Sequence, residues 1–157
     1  MKERIIASKI VRTPYGKIDL KATASGLFEL SLRGRLRNDS GSHSLLDRLQ
    51  LDLERYFEGR SVDFTEVSLD MSGYSLFELS VLNATKRIPY GEMRSYREIA
   101  EYIGRPSACR AVGRALRKNR TPIVIPCHRI IQSDSSLGGF GAGIGWKKRL
   151  LELEGIL

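Results

Sequence analysis

The chain has 157 residues, 41% hydrophobic and 28% charged, with a net charge of +8. This describes an ordinary globular protein of one large or two small domains. It excludes a membrane span, because no apolar run approaches the roughly 20 residues required; with two cysteines, two histidines and no C-x-x-C pair it also excludes a zinc site. The N-terminal Met1-Lys2-Glu3-Arg4-Ile5-Ile6 lacks the apolar core and cleavage site of a signal peptide. The expected setting is therefore the cytoplasm, where Cys109 and Cys127 stay reduced.

Ile5–Val11, Lys17–Thr23 and Leu27–Leu32 read as short strands, punctuated by Thr13-Pro14-Tyr15-Gly16 and Ala24-Ser25-Gly26. Residues 43–58 then place Leu45, Leu46, Leu49, Leu53, Tyr56 and Phe57 at helical spacing, stopped by Gly59. This predicts a small antiparallel sheet covered by one helix, with His43 on the surface. Arg60 to Ser72 reads as a long surface connector, and a domain boundary falls near Met71-Ser72-Gly73.

Beyond that boundary the texture changes to short helices. Ser75–Arg87 is one; Ser95-Tyr96-Arg97-Glu98 is a capping box that opens a second over Tyr96–Ile103. A third spans Ser107–Lys118 after the Gly104-Arg105-Pro106 turn, so the pair resembles a helix-turn-helix. Residues 1–72 carry 12 Lys/Arg against 11 Asp/Glu, and residues 73–157 carry 14 against 7. No acid lies between Glu101 and Asp134, where Arg105, Arg110, Arg114, Arg117, Lys118, Arg120 and Arg129 all fall. Such clustering points to a polyanionic partner, most simply a nucleic acid backbone. Ala108, Ala111, Gly113 and Ala115 make the third helix slim enough for close approach to that backbone; Cys109 within it reads as structural.

Ile125-Pro126-Cys127-His128-Arg129-Ile130-Ile131 carries the chemistry. Ile123-Val124-Ile125 reads as a buried strand delivering Cys127 at its end. Nearby positive charge is expected to lower a thiol pKa that is otherwise about 8.5. Neighbours on an extended chain point apart, so a bridging water is needed to pass a proton from Cys127 to His128. An acid must orient the imidazole, and Glu152 or Glu154 can do so. Leu137–Gly143 is a low-bulk glycine loop without a phosphate-binding pattern. It reads either as a wide turn or as a wall where Phe140 lies on a flat ligand.

Tyr90-Gly91-Glu92, Ser95-Tyr96, Arg110-Ala111-Val112-Gly113, Lys118-Asn119, Ile125-Pro126-Cys127-His128-Arg129 and Leu153-Glu154-Gly155 together resemble the O6-alkylguanine-DNA alkyltransferase family. The resemblance runs nearly end to end over 73–157 and only in outline before it. It implies an α+β chain: an RNase H-like N-terminal domain with its connector over 1–72, and a winged-helix domain containing the helix-turn-helix over 73–157. The implied activity is single-turnover, irreversible transfer of an alkyl group to Cys127 from O6-alkylguanine flipped out of double-stranded DNA. The chain is expected to act as a monomer, with no cofactor, metal or membrane.

The resemblance also implies roles. His128 is the base for Cys127, through a water held with Glu154; Tyr96 donates a proton towards the departing guanine, and Asn119 ties the helix end to the Cys127 turn. Arg110 enters the base stack with Leu116 as a wedge, on a DNA-binding face completed by Ser107, Ala111, Arg117 and Arg129. The Cys127 and Ile130 carbonyls, Phe140, Gly141 and Tyr96 form the base pocket. The family often has Tyr-Ser where this chain has Phe140-Gly141, so the stacking ring is kept and a phenol and a hydroxyl are lost. Two other readings share these residues. A redox-sensing helix-turn-helix regulator leaves Pro126, His128 and the glycine loop unexplained, and a Cys-His hydrolase is disfavoured because the two side chains diverge.

Overall fold

Ala7–Thr13 (β1), Gly16–Thr23 (β2) and Gly26–Ser31 (β3) pair as an antiparallel sheet in the order β1-β2-β3. These are elements of a computed structural model that describes residues 4–157; the first three residues of the stretch read against a signal peptide lie outside the described residues. Ser44–Phe57 (α1) packs on the sheet through Leu46, Leu49, Leu53, Tyr56 and Phe57. That spacing is a single helical stripe. His43 is the helix N-cap, its Nδ1 accepting from Leu45 N at 3.1 Å, and is half-buried rather than a plain surface residue.

Residues 60–72 are not a surface connector. Phe64 is buried against Tyr56, and Leu69 forms a parallel bridge with Leu27. Buried Asp70 accepts from Thr23 Oγ1 at 2.7 Å. Scattered apolar residues without a period hid this role, since an edge segment needs only a few anchors.

The chain divides into two compact units. One runs to Gly73 and takes in Arg120–Pro122; the other comprises Tyr74–Asn119 and Ile123–Leu157. In the first, Arg120 O accepts from Leu30 N at 2.9 Å, and the Arg120 guanidinium lies 4.3 Å from the centre of the Phe28 ring.

The second unit is helical. Leu76–Lys86 (α2) and Tyr96–Tyr102 (α3) both start with complete capping boxes, Ser75 with Glu78 and Ser95 with Glu98, each worth about 1 kcal/mol. Cys109–Arg117 (α4) packs on both through Val112, Ala115 and Leu116. A two-residue parallel pair joins Arg94–Ser95 (β4) to Ile130–Ile131 (β5), and Ile144–Leu153 (α5) closes the unit. The described residues form a mixed α/β protein with a three-stranded antiparallel sheet and five α-helices. No helix of the described residues is long and apolar enough to cross a membrane.

Gly26 opens β3 with φ +141°, and a Cβ there would lie 2.5 Å from the Ser68 carbonyl oxygen. Gly26→Ala should therefore cost about 2 kcal/mol or more. Urea denaturation checks this as a lowered midpoint at unchanged slope; wild-type stability would show that the residue 68–70 edge yields freely.

Candidate active site

The nucleophile turn begins where α4 ends. Asn119 Nδ2 donates to Ile125 O at 3.0 Å. Cys127 N closes on Ile125 O at 2.8 Å around Pro126, and Arg129 N bonds to Pro126 O at 3.0 Å. Ile123–Ile125 are buried, but they form a turn and not the expected strand; Ile123 sits at φ 73°. β-Branched runs report burial, and here the tether from Asn119 and the rigid Pro126 bend the chain. A β-branched residue in that region stores about 1–3 kcal/mol of strain, which the surrounding contacts must offset.

Cys127–Arg129 form one turn of 3-10 helix, which separates Cys127 and His128 by about 120° around its axis. His128 is fully buried, with Nε2 2.5 Å from Glu154 Oε2. Arg129 binds the same carboxylate through Nε (2.8 Å) and Nη2 (3.1 Å) and donates to Ile88 O through Nη1 at 2.7 Å. Gly91 N adds a fourth donor to Glu154, at 3.0 Å. Burial holds the His128 pKa below its ordinary value against the opposing pull of Glu154. The imidazole is thus neutral near pH 7 and able to take a proton.

Cys127 is 9% exposed and lines a cavity of about 470 Å³. Tyr96 from α3, Arg110, Gly113 and Leu116 from α4, and Phe140 and Gly141 from the glycine loop form its walls. The β4–β5 pair sets Tyr96, the first residue of α3, beside the strand that follows the nucleophile turn. Tyr96 also packs on the loop: a Cβ at Gly138 would lie 2.9 Å from its hydroxyl. Burial pushes the Cys127 thiol up to about 11, against the Asn119 hydrogen bond and the charge of Lys147. The expected lowering is therefore reversed in the resting protein, because desolvation outweighs the neighbouring cation. Burial, with the charge of Cys127 next, also raises the Tyr96 phenol, so it remains a proton donor.

Residues 76–156 match the family model described as the 6-O-methylguanine DNA methyltransferase DNA-binding domain. A methylated-DNA–protein-cysteine methyltransferase of Sulfurisphaera tokodaii is 35% identical over 97% of this chain and 95% of its own. One from Mycobacterium tuberculosis is 39% identical over 96% and 93%. The chain belongs to the methylated-DNA–protein-cysteine methyltransferase family. The crystal structure of Mycobacterium tuberculosis OGT in complex with DNA superposes with a TM-score of 0.81 at 40% identity, covering 94% of this chain and 91% of that one. These alkyl-transfer relatives do not favour the regulator reading.

Within this methyltransferase, Cys127, Tyr96, Phe140 and Gly141 share one cavity, and His128 and Glu154 form a buried pair. Two residues expected on the DNA-binding face are buried. Arg129 is 5% exposed and committed to Glu154 and Ile88 O, so it braces the carboxylate. Leu116 is 8% exposed and lines the cavity wall. Arg110, Ser107 and Arg117 are exposed and Ala111 is half-buried. Ser107 precedes the helix, which starts at Cys109. Cys109, expected to be structural, also lines the cavity. Ile130 is buried, and its carbonyl accepts from Lys147 Nζ at 2.5 Å. Lys147 belongs to no motif, but Lys147, Leu150, Leu151 and Glu154 repeat at helical spacing and place two charges on an apolar stripe.

Glu154→Gln would leave Arg129 buried without its counter-charge. Denaturant unfolding should report a loss of about 3 kcal/mol or more; a loss under about 1 kcal/mol would mean that the network contributes little to the fold.

Proposed function

We propose that this protein repairs DNA by moving the alkyl group of O6-alkylguanine onto its own Cys127, once per molecule. The observation that carries this is Cys127 in the wall of a cavity large enough to admit a base, with a carboxylate-bound histidine as its chain neighbour. The first unit is assigned as an RNase H-like domain over 1–72, and the second as a winged-helix domain over 73–157 in which α3 and α4 form the helix-turn-helix. The protein acts as a cytoplasmic monomer on double-stranded DNA.

A guanine stacked in a duplex cannot present its O6 substituent to a buried sulfur. It must be flipped out, at a cost of a few kcal/mol. Exposed Arg110, on the slim face with Ala111, enters the gap left in the stack, while Ser107 and Arg117 bind phosphate. The extruded base lies between Tyr96 and Phe140, with its amino group on the carbonyls of Cys127 and Ile130. Gly141 brings its backbone N–H, rather than a hydroxyl, towards the guanine oxygen.

The thiol proton passes through a water to His128, whose imidazolium Glu154 stabilises, and the thiolate attacks the alkyl carbon. The sulfur–carbon bond forms as the carbon–oxygen bond breaks. Tyr96 donates towards the departing guanine, so that in balance the thiol proton ends on the base. Asn119 holds the turn in place throughout. A thioether has no low-energy route back to a thiol, and the molecule is spent.

Cys127→Ala should abolish methyl uptake from an oligonucleotide containing O6-methylguanine and leave its affinity for that oligonucleotide within about threefold. Peptide mass analysis of the wild type should find one methyl per chain, on Cys127; a methyl elsewhere, or uptake by the alanine variant, would refute the assignment. Arg110→Ala should slow transfer at least tenfold, and added salt should weaken binding steeply. Unchanged single-turnover rates would remove Arg110 from base extrusion.

A further inference from the structure

Between Glu29 and Asp39 the chain carries no acid and three arginines, Arg33, Arg35 and Arg37. The near-neutral sum of residues 1–72 conceals them. This segment leaves β3, crosses β2 and reaches β1. Gly34 N donates to Lys17 O at 3.0 Å, Lys17 Nζ donates to Leu36 O at 3.1 Å, and Ser40 forms an antiparallel bridge with Ser8. Buried Asp19 fixes the middle of the strap: one carboxylate oxygen accepts from Arg35 N at 2.6 Å and from Leu36 N at 3.0 Å. The crossing is close, since a Cβ at Gly34 would lie 2.5 Å from Lys17 O.

Exposure alternates along the strap: Arg33, Arg35 and Arg37 are exposed, Gly34 and Leu36 half-buried. Every second residue of an extended segment shares a side, at a spacing of about 7 Å. Arg12, opposite Lys17 in the β1–β2 register, is exposed as well. Among the described residues Arg35 and Arg37 form no ion pair with a carboxylate. Burying a carboxylate to hold a loop carries a desolvation cost, and cations held side by side repel one another. A bound polyanion offsets both.

We propose that the strap over residues 33–37 is a second contact surface for DNA, binding a phosphate backbone independently of α4. The inference takes its polyanion from the proposed function and adds a surface to it. A backbone is favoured over an acidic protein because the strap exposes no apolar anchor: Leu32 is buried and Leu36 half-buried. Protein interfaces draw most of their energy from such anchors, whereas phosphate contacts need only cations and other donors. Phosphate contacts carry no lesion information, so the strap raises affinity without altering the chemistry at Cys127.

The test uses the full chain with Arg35→Gln and Arg37→Gln combined, and a second variant with both arginines changed to lysine. Thermal melting confirms the fold of each. Affinity for a long undamaged duplex is measured by fluorescence anisotropy from about 50 to 200 mM salt. The glutamine variant should bind at least tenfold more weakly at the low-salt end, and its salt slope should be shallower by about 2, for two lost phosphate contacts. The lysine variant should keep the wild-type slope. The single-turnover rate on saturating O6-methylguanine duplex should stay within about twofold. Duplexes labelled separately with donor and acceptor dyes identify the backbone: energy transfer that the glutamine variant loses means a second duplex, and no transfer means a flanking stretch of the first. An unchanged slope and affinity in the glutamine variant, as expected if the strap serves an acidic protein, would overturn the inference, and so would an equal loss in the lysine variant. The duplex is undamaged, so a wild-type protein that binds it but takes up no methyl would overturn the repair function and leave this test intact.

Discussion

The carboxylate of Glu154 is the interaction on which the second unit depends. An ionised carboxylate has about four acceptor positions, and here His128, two nitrogens of Arg129 and the Gly91 amide fill them. These donors come from the nucleophile turn and the Tyr90-Gly91 turn, while Glu154 caps α5. A buried charge must be satisfied or it costs several kcal/mol, so the three segments are locked to one another. Arg129 is indispensable to this arrangement: a lone neutral histidine could not hold an ionised carboxylate in a dry interior. The family motif around the cysteine is thus partly chemical and partly architectural, with adjacent residues serving each purpose.

This lock explains how a thiol with a raised pKa can serve as a nucleophile. A permanently ionised sulfur in an open cavity would react with any passing electrophile or oxidant. Desolvation raises the Cys127 thiol and lowers the His128 imidazole, so that in the proposed reaction a protonated thiol faces a base able to receive its proton. The proposed mechanism ties ionisation to the moment when a base fills the cavity and a proton acceptor, a leaving group and Tyr96 are aligned. A protein consumed by one reaction gains specificity from being unreactive beforehand.

How much of this was legible in the sequence depended on the kind of signal. The three strands, α1 and the Ser95 capping box follow from periodicity and local chemistry, which need no distant partner. The burial of residues 123–125 was legible, but their turn was not, because it is imposed by Asn119 and Pro126 and not by the β-branched residues themselves. Arg129 read as one more cation in a basic run; only the three-dimensional position of Glu154, 25 residues away, turns it inward. Arg120 was likewise counted with the basic cluster, yet its bonds to Phe28 O and Asp70 O bind it into the first unit. The thiol pKa rises where the cationic motif predicts a fall, because charge can be read from a sequence and desolvation cannot.

The same distinction sharpens the meaning of the basic cluster. Of the seven cations between Glu101 and Asp134, Arg129 and Arg120 are engaged within the fold, and Lys118 pairs with Glu78 at 2.7 Å. Arg105, Arg110, Arg114 and Arg117 stay exposed, three of them on α4 and two in its last turn, where the helix dipole favours positive charge. The electrostatic face is therefore smaller than composition suggests and is concentrated on one short helix. That same helix provides Gly113 and Leu116 to the cavity. The exposed arginines and the cavity lining are thus two faces of a single nine-residue element, so in the proposed function any shift of α4 that improved phosphate contact would disturb the opening onto Cys127. Val112 and Ala115, buried against α2 and α3, hold it in the register that serves both.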